Sequence, residues 1–168
     1  MTQFIPYHFK GTIPLHGVFF VGLSHKLGKN GEVLDAFCDS TSSGKIISEV
    51  ISSCKNKSSI HTLNLVSGVP VNENGKIRYP DNREKEKGLQ DLIEKIDLFQ
   101  PKIIFLFGKQ VSEFVIKKLK FEQLSDTEYK YGEITFVIVD HPAYIAVYKR
   151  KNIGEYVSFI LGRISVVG

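Results

Sequence analysis

Cysteine is scarce in this chain: Cys38 and Cys54 are the two present. Two thiols cannot build a disulfide framework or a four-ligand metal site, so reduced cytosolic thiols are expected. No apolar run approaches the roughly 18–20 residues that a membrane helix needs. The amino-terminal segment lacks the charged start, apolar centre and small-residue cleavage site of a secretory signal. The common phosphate fingerprints are missing as well. A P-loop needs about four residues between its glycines and a Ser or Thr after its Lys. The segment Gly22–Asn30 reads GLSHKLGKN, with five residues between glycines and Asn30 after Lys29. The hydroxyl that would hold magnesium is therefore absent. There is no GxGxxG for a dinucleotide and no GxSxG elbow for a serine hydrolase. His8, His16, His25, His61 and His141 show no HExxH spacing, and the cysteines no Cys-x-x-Cys, so zinc is not expected.

What is present is an ordinary globular mixture of 168 residues, 42% hydrophobic and 24% charged. That length suits a single domain spanning 1–168 and is enough to bury a core without staples. The net charge of +4 permits a polyanionic partner without demanding one. Its distribution says more. Lys149, Arg150 and Lys151 are consecutive and lie beside Tyr144 and Tyr148. A basic triplet among aromatics suits a nucleic-acid backbone, although a solvated loop has the same look.

Apolar strands alternate with amphipathic helices along the chain. Val18–Val21 is apolar and β-favouring and is expected to end at Gly22. Ile46, Ile47, Val50 and Ile51 have helical spacing within 43–54, and residues 60–66 alternate as a strand does. Leu89, Leu92, Ile93 and Ile96 mark a helix over 83–98 that Pro101 stops. Ile103–Phe107 is a wholly apolar strand closed by Gly108. A helix over 109–119, a strand over 133–139 and a last helix over 152–164 complete the pattern. Such a pattern implies an α/β fold, a three-layer α/β/α domain around a central four-stranded parallel sheet. In such sheets ligands bind beyond the carboxyl ends of the strands. The segments there are Gly22–Asp39, Asn64–Tyr79, Gly108–Gln110 and His141–Tyr148.

Several residues in or near those segments carry useful chemistry. Ser42-Ser43-Gly44-Lys45 opens a helix whose free N–H groups can hold a phosphate. Equally, Ser42 or Ser43 can simply cap the first turn. Asn64 closes the second strand. Its planar amide has one acceptor and two donor positions, which suits the edge of a nucleobase, or a turn. The Asp140-His141-Pro142-Ala143-Tyr144 turn follows the fourth strand, which puts His141 on the expected crevice.

Taken in order, these residues resemble the uracil-DNA glycosylase superfamily. The likeness runs from about Val18 to Ile164. Phe19-Phe20-Val21-Gly22-Leu23-Ser24 is similar to the strand and glycine that open its first active-site motif. Ser43-Gly44-Lys45-Ile46-Ile47 resembles the Ser-Gly helix start after the base-stacking loop. Thr62-Leu63-Asn64-Leu65-Val66 resembles the strand whose Asn reads the base. Pro101 through Gly108 resembles the Pro-strand-Gly-helix unit. Asp140-His141-Pro142-Ala143-Tyr144 resembles the His-Pro-Ser/Ala motif of bacterial and archaeal branches.

The resemblance implies that Asn64 hydrogen-bonds a flipped base and that His141 stabilises charge on it as it departs. Phe37 would stack on the base, and Gly22, Leu23 and Ser24 would also bind the substrate. Ser43, Lys45, Tyr144, Ile145, Lys149, Arg150 and Lys151 would wedge into the DNA or grip its phosphates. Many relatives place an acid or Asn just after the first-motif glycine, to position water. Leu23 and Ser24 stand there instead, and Asp35 and Asp39 are the substitute carboxylates in the same loop. Relatives with an iron–sulfur cluster use four cysteines, which this chain lacks.

The activity implied is that of a monofunctional DNA glycosylase. It would remove uracil, a deaminated purine or a modified pyrimidine such as those of phage DNA, and leave an abasic site. No metal or organic cofactor is expected, DNA is the partner, and a cytoplasmic monomer with no membrane contact follows. A catalytically inactive DNA- or base-binding member of the same fold is the alternative, motivated by the missing first-motif acid. An unrelated nucleotide-phosphate enzyme built on Ser43-Gly44-Lys45 is a third reading.

Overall fold

The computed structural model describes residues 3–167. Its strands are β1 (Gln3–Pro6), β2 (Val18–Ser24), β3 (Ile60–Val66), β4 (Gly68–Val71), β5 (Ile103–Phe107), β6 (Glu122–Gln123), β7 (Glu128–Tyr131) and β8 (Ile134–Val139). Its helices are α1 (Ser42–Ser52), α2 (Asn82–Phe99), α3 (Lys109–Lys118), α4 (Pro142–Tyr148) and α5 (Ile153–Val167). The main sheet runs β3-β2-β5-β8-β7-β6. The first four of these strands are mutually parallel, and β7 and β6 extend the sheet antiparallel at one edge.

Alternation along the apolar strands divides the core in two, because successive side chains leave opposite faces of a sheet. Val18 and Phe20 join Ile103, Phe105 and Phe107 against α1, α4 and α5. Phe19 and Val21 join Leu63, Leu65, Ile104 and Leu106 against α2 and α3. Phe19, Phe20, Phe105 and Phe107 are fully buried, and each contributes roughly 2–3 kcal/mol through the apolar surface it removes from water. The three-layer α/β/α arrangement expected from sequence is present. No helix of the described residues is long and apolar enough to cross a membrane.

The structure departs from the sequence expectation in four places. Among the described residues, β7 and β6 extend the four expected parallel strands to a six-stranded sheet. The added β7 reads EYKY and is half-buried, too polar to look like a core strand. A separate two-stranded sheet pairs β1 with β4, Gln3 opposite Val71. β2 does not stop at Gly22 but continues to Ser24, with Gly22 opposite Asn64. The His-Pro segment is not merely a turn: Pro142 starts α4, and His141 is its N-cap. Proline fits the first helical position because its missing N–H would have no partner there.

Candidate active site

The carboxyl ends of β2, β3, β5 and β8 open into a cavity of about 660 Å³. All four segments expected at that edge contribute to it. Gly22, Leu23, Ser24, Asp35, Phe37, Ser43, Asn64 and His141 line it, along with His25, Lys26, Arg78 and Lys109.

Gly22 forms the floor, and its lack of a side chain is a steric requirement. A Cβ there would lie 2.5 Å from Asn64 Oδ1 and 3.1 Å from Phe37 Cζ. Amide and ring therefore converge over one backbone position. Asn64 reaches it because β3 pairs in register with β2. Its side chain makes no hydrogen bond to other described residues, so its donors and acceptor remain free for a ligand. Phe37 reaches it from the loop before α1, with φ of 54°, and its ring meets Phe107 edge-on at 5.0 Å. That loop is held by the start of α1. A Cβ on Gly44 would lie 1.7 Å from the Cys38 carbonyl oxygen, so glycine is what lets helix and loop approach. The N-cap of α1 is Thr41, whose Oγ1 accepts from the Gly44 N–H at 2.9 Å. The cap expected at Ser42 or Ser43 is thus one residue earlier or more, and Ser43 is left facing the cavity.

His141 sits across from this pair, after β8. Its Nδ1 accepts from the Ala143 N–H at 3.0 Å. That bond requires a lone pair on Nδ1, so the ring proton of the neutral form is on Nε2. Burial holds the His141 pKa below the usual histidine range, and Lys26 lowers it further. Near neutral pH the ring is therefore an uncharged N–H donor with a fixed tautomer.

Asp35 and Asp39 part company. Asp35 lines the cavity and accepts a hydrogen bond from the Tyr7 hydroxyl. Burial together with this carboxylate pushes the Tyr7 pKa up to about 12. Asp39 is exposed and does not line the cavity.

The remaining expected residues lie outside the cavity lining. Lys45 is exposed on α1. Tyr144 and Tyr148 are exposed on α4, their rings 5.2 Å apart, with Lys149 Nζ 5.7 Å from the Tyr144 ring centre. Lys149, Arg150 and Lys151 are exposed beyond them. Ile145 requires a correction. It is 3% exposed and packs in the core with Ile47 and Ile160, because α4 turns it inward. It cannot be a wedge, and the exposed aliphatic side chain on that helix is Val147. Sequence reasoning assigned no role to His25, Lys26, Arg78 or Lys109. Their only sequence signal is membership of the crevice segments. Among the described residues no three His, Cys, Asp or Glu side chains gather as a metal site.

Fold and site together define an α/β protein whose strand edge presents a planar amide, an aromatic ring and a neutral imidazole to one cavity. Residues 11–163 match the family model described as the uracil DNA glycosylase superfamily. The chain belongs to that superfamily. Among solved structures it resembles wild-type SMUG2 of Pedobacter heparinus, with a TM-score of 0.62 and 15% identity. That likeness covers 91% of this chain and 76% of the other. No curated protein matches the chain.

Proposed function

We propose that this protein is a monofunctional DNA glycosylase that hydrolyses the N-glycosidic bond of a flipped-out base. The observation that carries the reading is the convergence of Asn64, Phe37 and His141 on one cavity floored by Gly22. Superfamily membership supports the reaction class.

A stacked base hides its glycosidic bond, and extruding it costs a few kcal/mol. Phe37 offers a stacking surface that offsets part of this cost, and Asn64 reads the hydrogen-bonding edge. As the bond breaks, negative charge grows on the base and positive charge on the sugar. The His141 Nε2–H donates to the base oxygen where that negative charge collects, and does so without a change of protonation state. Asp35 is the carboxylate that stabilises the sugar cation, because it lines the cavity and Asp39 does not. Ser43, Lys45, Tyr144 and the Lys149–Lys151 run bind the DNA backbone around the cavity. The base removed is uracil, a deaminated purine or a modified pyrimidine, and the product is an abasic site.

The test is release of free base from uracil-containing DNA, followed by chromatography. His141→Ala and Asn64→Ala should each lower single-turnover release at least about ten-fold, the low end expected of positioned acid–base and electrostatic groups. Wild-type rates in both variants would remove the site from the mechanism.

A further inference from the structure

The residue after Ser24 is a buried histidine to which the resemblance gives no role. His25 is 3% exposed and lines the cavity. Its backbone N–H donates to the Gly68 carbonyl at 3.0 Å. Its Nδ1 lies 2.8 Å from the Leu34 carbonyl oxygen. A carbonyl only accepts, so the neutral ring carries its proton on Nδ1 and keeps a lone pair on Nε2. No described residue hydrogen-bonds to that Nε2. Tyr7 stacks on the ring at 3.9 Å with planes 18° apart, and donates its hydroxyl proton to Asp35. Tyr7 lies before the matched span of 11–163, so this arrangement is built partly by a segment outside the family pattern.

The two cavity histidines thus have opposite tautomers. His141 presents a donor at Nε2, whereas His25 presents an acceptor there. A leaving base needs the first and an attacking water needs the second. We propose that His25 is the general base of the reaction, accepting a proton from the attacking water through Nε2. The proposal rests on the glycosylase reading above. The C1′–N bond breaks with its electron pair passing to the base, and the water oxygen bonds to C1′. The water proton moves to His25 Nε2, and the imidazolium returns it to the departed base or to solvent, so the net reaction is hydrolysis. Burial holds the His25 pKa below the usual range, opposed by the Leu34 carbonyl and Asp35. The ring is therefore an uncharged base near neutral pH.

The experiment is single-turnover base release by His25→Asn, on whichever base the wild type removes. The Asn amide can still donate to the Leu34 carbonyl, but nothing replaces Nε2. The expected result is a fall in the single-turnover rate constant of about 10²-fold, within the range of general base catalysis. DNA affinity should stay within two-fold of wild type, and added imidazole should restore part of the rate. If His25→Asn does not fold, His25→Gln with imidazole rescue gives the same reading. A rate within three-fold of wild type, or a loss that imidazole does not relieve, overturns the assignment and leaves His25 as a loop latch. A wild type that releases no base from any substrate overturns the glycosylase reading and this assignment together.

Discussion

Gly22→Ala is the most informative single change, because it adds one methyl group where amide and ring converge. The new Cβ would stand 2.5 Å from Asn64 Oδ1, against about 3.4 Å for ordinary contact. The amide must therefore retreat by about 0.9 Å, the difference between those two distances. The 3.1 Å approach to Phe37 Cζ is milder and asks a few tenths of an ångström of that ring. Both neighbours are side-chain ends rather than backbone, so the sheet can survive. A misplacement near 1 Å at a reacting site costs on the order of 10²-fold in rate. Single-turnover base release should fall by about that factor, while the melting temperature moves by less than about 4 °C, a shift near 1 kcal/mol for a domain of this size. Activity within three-fold of wild type would refute the claim that Asn64 and Phe37 define the base site. A collapse of the melting temperature would show that Gly22 serves the fold instead.

Three further outcomes follow from the same geometry. His141→Asn keeps a side-chain acceptor for the Ala143 N–H, whereas His141→Ala loses it. Both should lose activity, but only the alanine variant should also lose about 1 kcal/mol of stability, the worth of an N-cap; equal denaturation midpoints would contradict the capping role. His61 is buried between Phe9 and Phe19, which holds its pKa down at about 4. The unfolded chain binds this proton near 6.5 and the folded chain does not, so stability is full above pH 6.5 and falls as pH drops toward 4. At about 1.4 kcal/mol per unit over the 2.5 units between 6.5 and about 4, the loss is at most about 3.5 kcal/mol. An NMR titration that found His61 protonating near pH 6.5 would contradict it. Replacing Lys149, Arg150 and Lys151 together by alanine should flatten the dependence of log DNA affinity on log salt by about 2–3, near 0.9 for each phosphate no longer neutralised. An unchanged slope would place the backbone grip elsewhere.

The parallel core was legible because each of its strands is locally distinctive. Ile103–Phe107 is wholly apolar and closed by Gly108, and such a run has few other solutions. Asn64 and His141 were legible by position, one near the end of β3 and the other just past β8, at the edge where ligands bind. What was hidden depends on contacts distant in sequence. Tyr7 reaches His25 because β1 pairs with β4, more than sixty residues away, and nothing local in Gln3–Pro6 announces that pairing. The choice between Asp35 and Asp39 also needed the loop in three dimensions. Ile145 is different, because a local signal for its burial exists. Pro142 at the first position of a helix, with His141 before it, is a start signal. A helix begun there turns Ile145 and Ala146 toward the core and Tyr144 and Val147 outward. Reading the His-Pro pair only as a turn conceals that consequence.

The reaction proposed for this cavity is breakage of an N-glycosidic bond. Labelled oligonucleotides carrying uracil, hypoxanthine, xanthine or modified cytosines, incubated with the wild-type protein and treated with or without alkali, test it most directly. Strand breaks are expected at one of these bases only after alkali, the signature of an abasic site left by a monofunctional enzyme. Strands that stay intact after alkali for every base, while the protein still binds the DNA, would contradict it. That outcome would identify a binding protein of the same fold, with Leu23 and Ser24 marking where catalysis was lost.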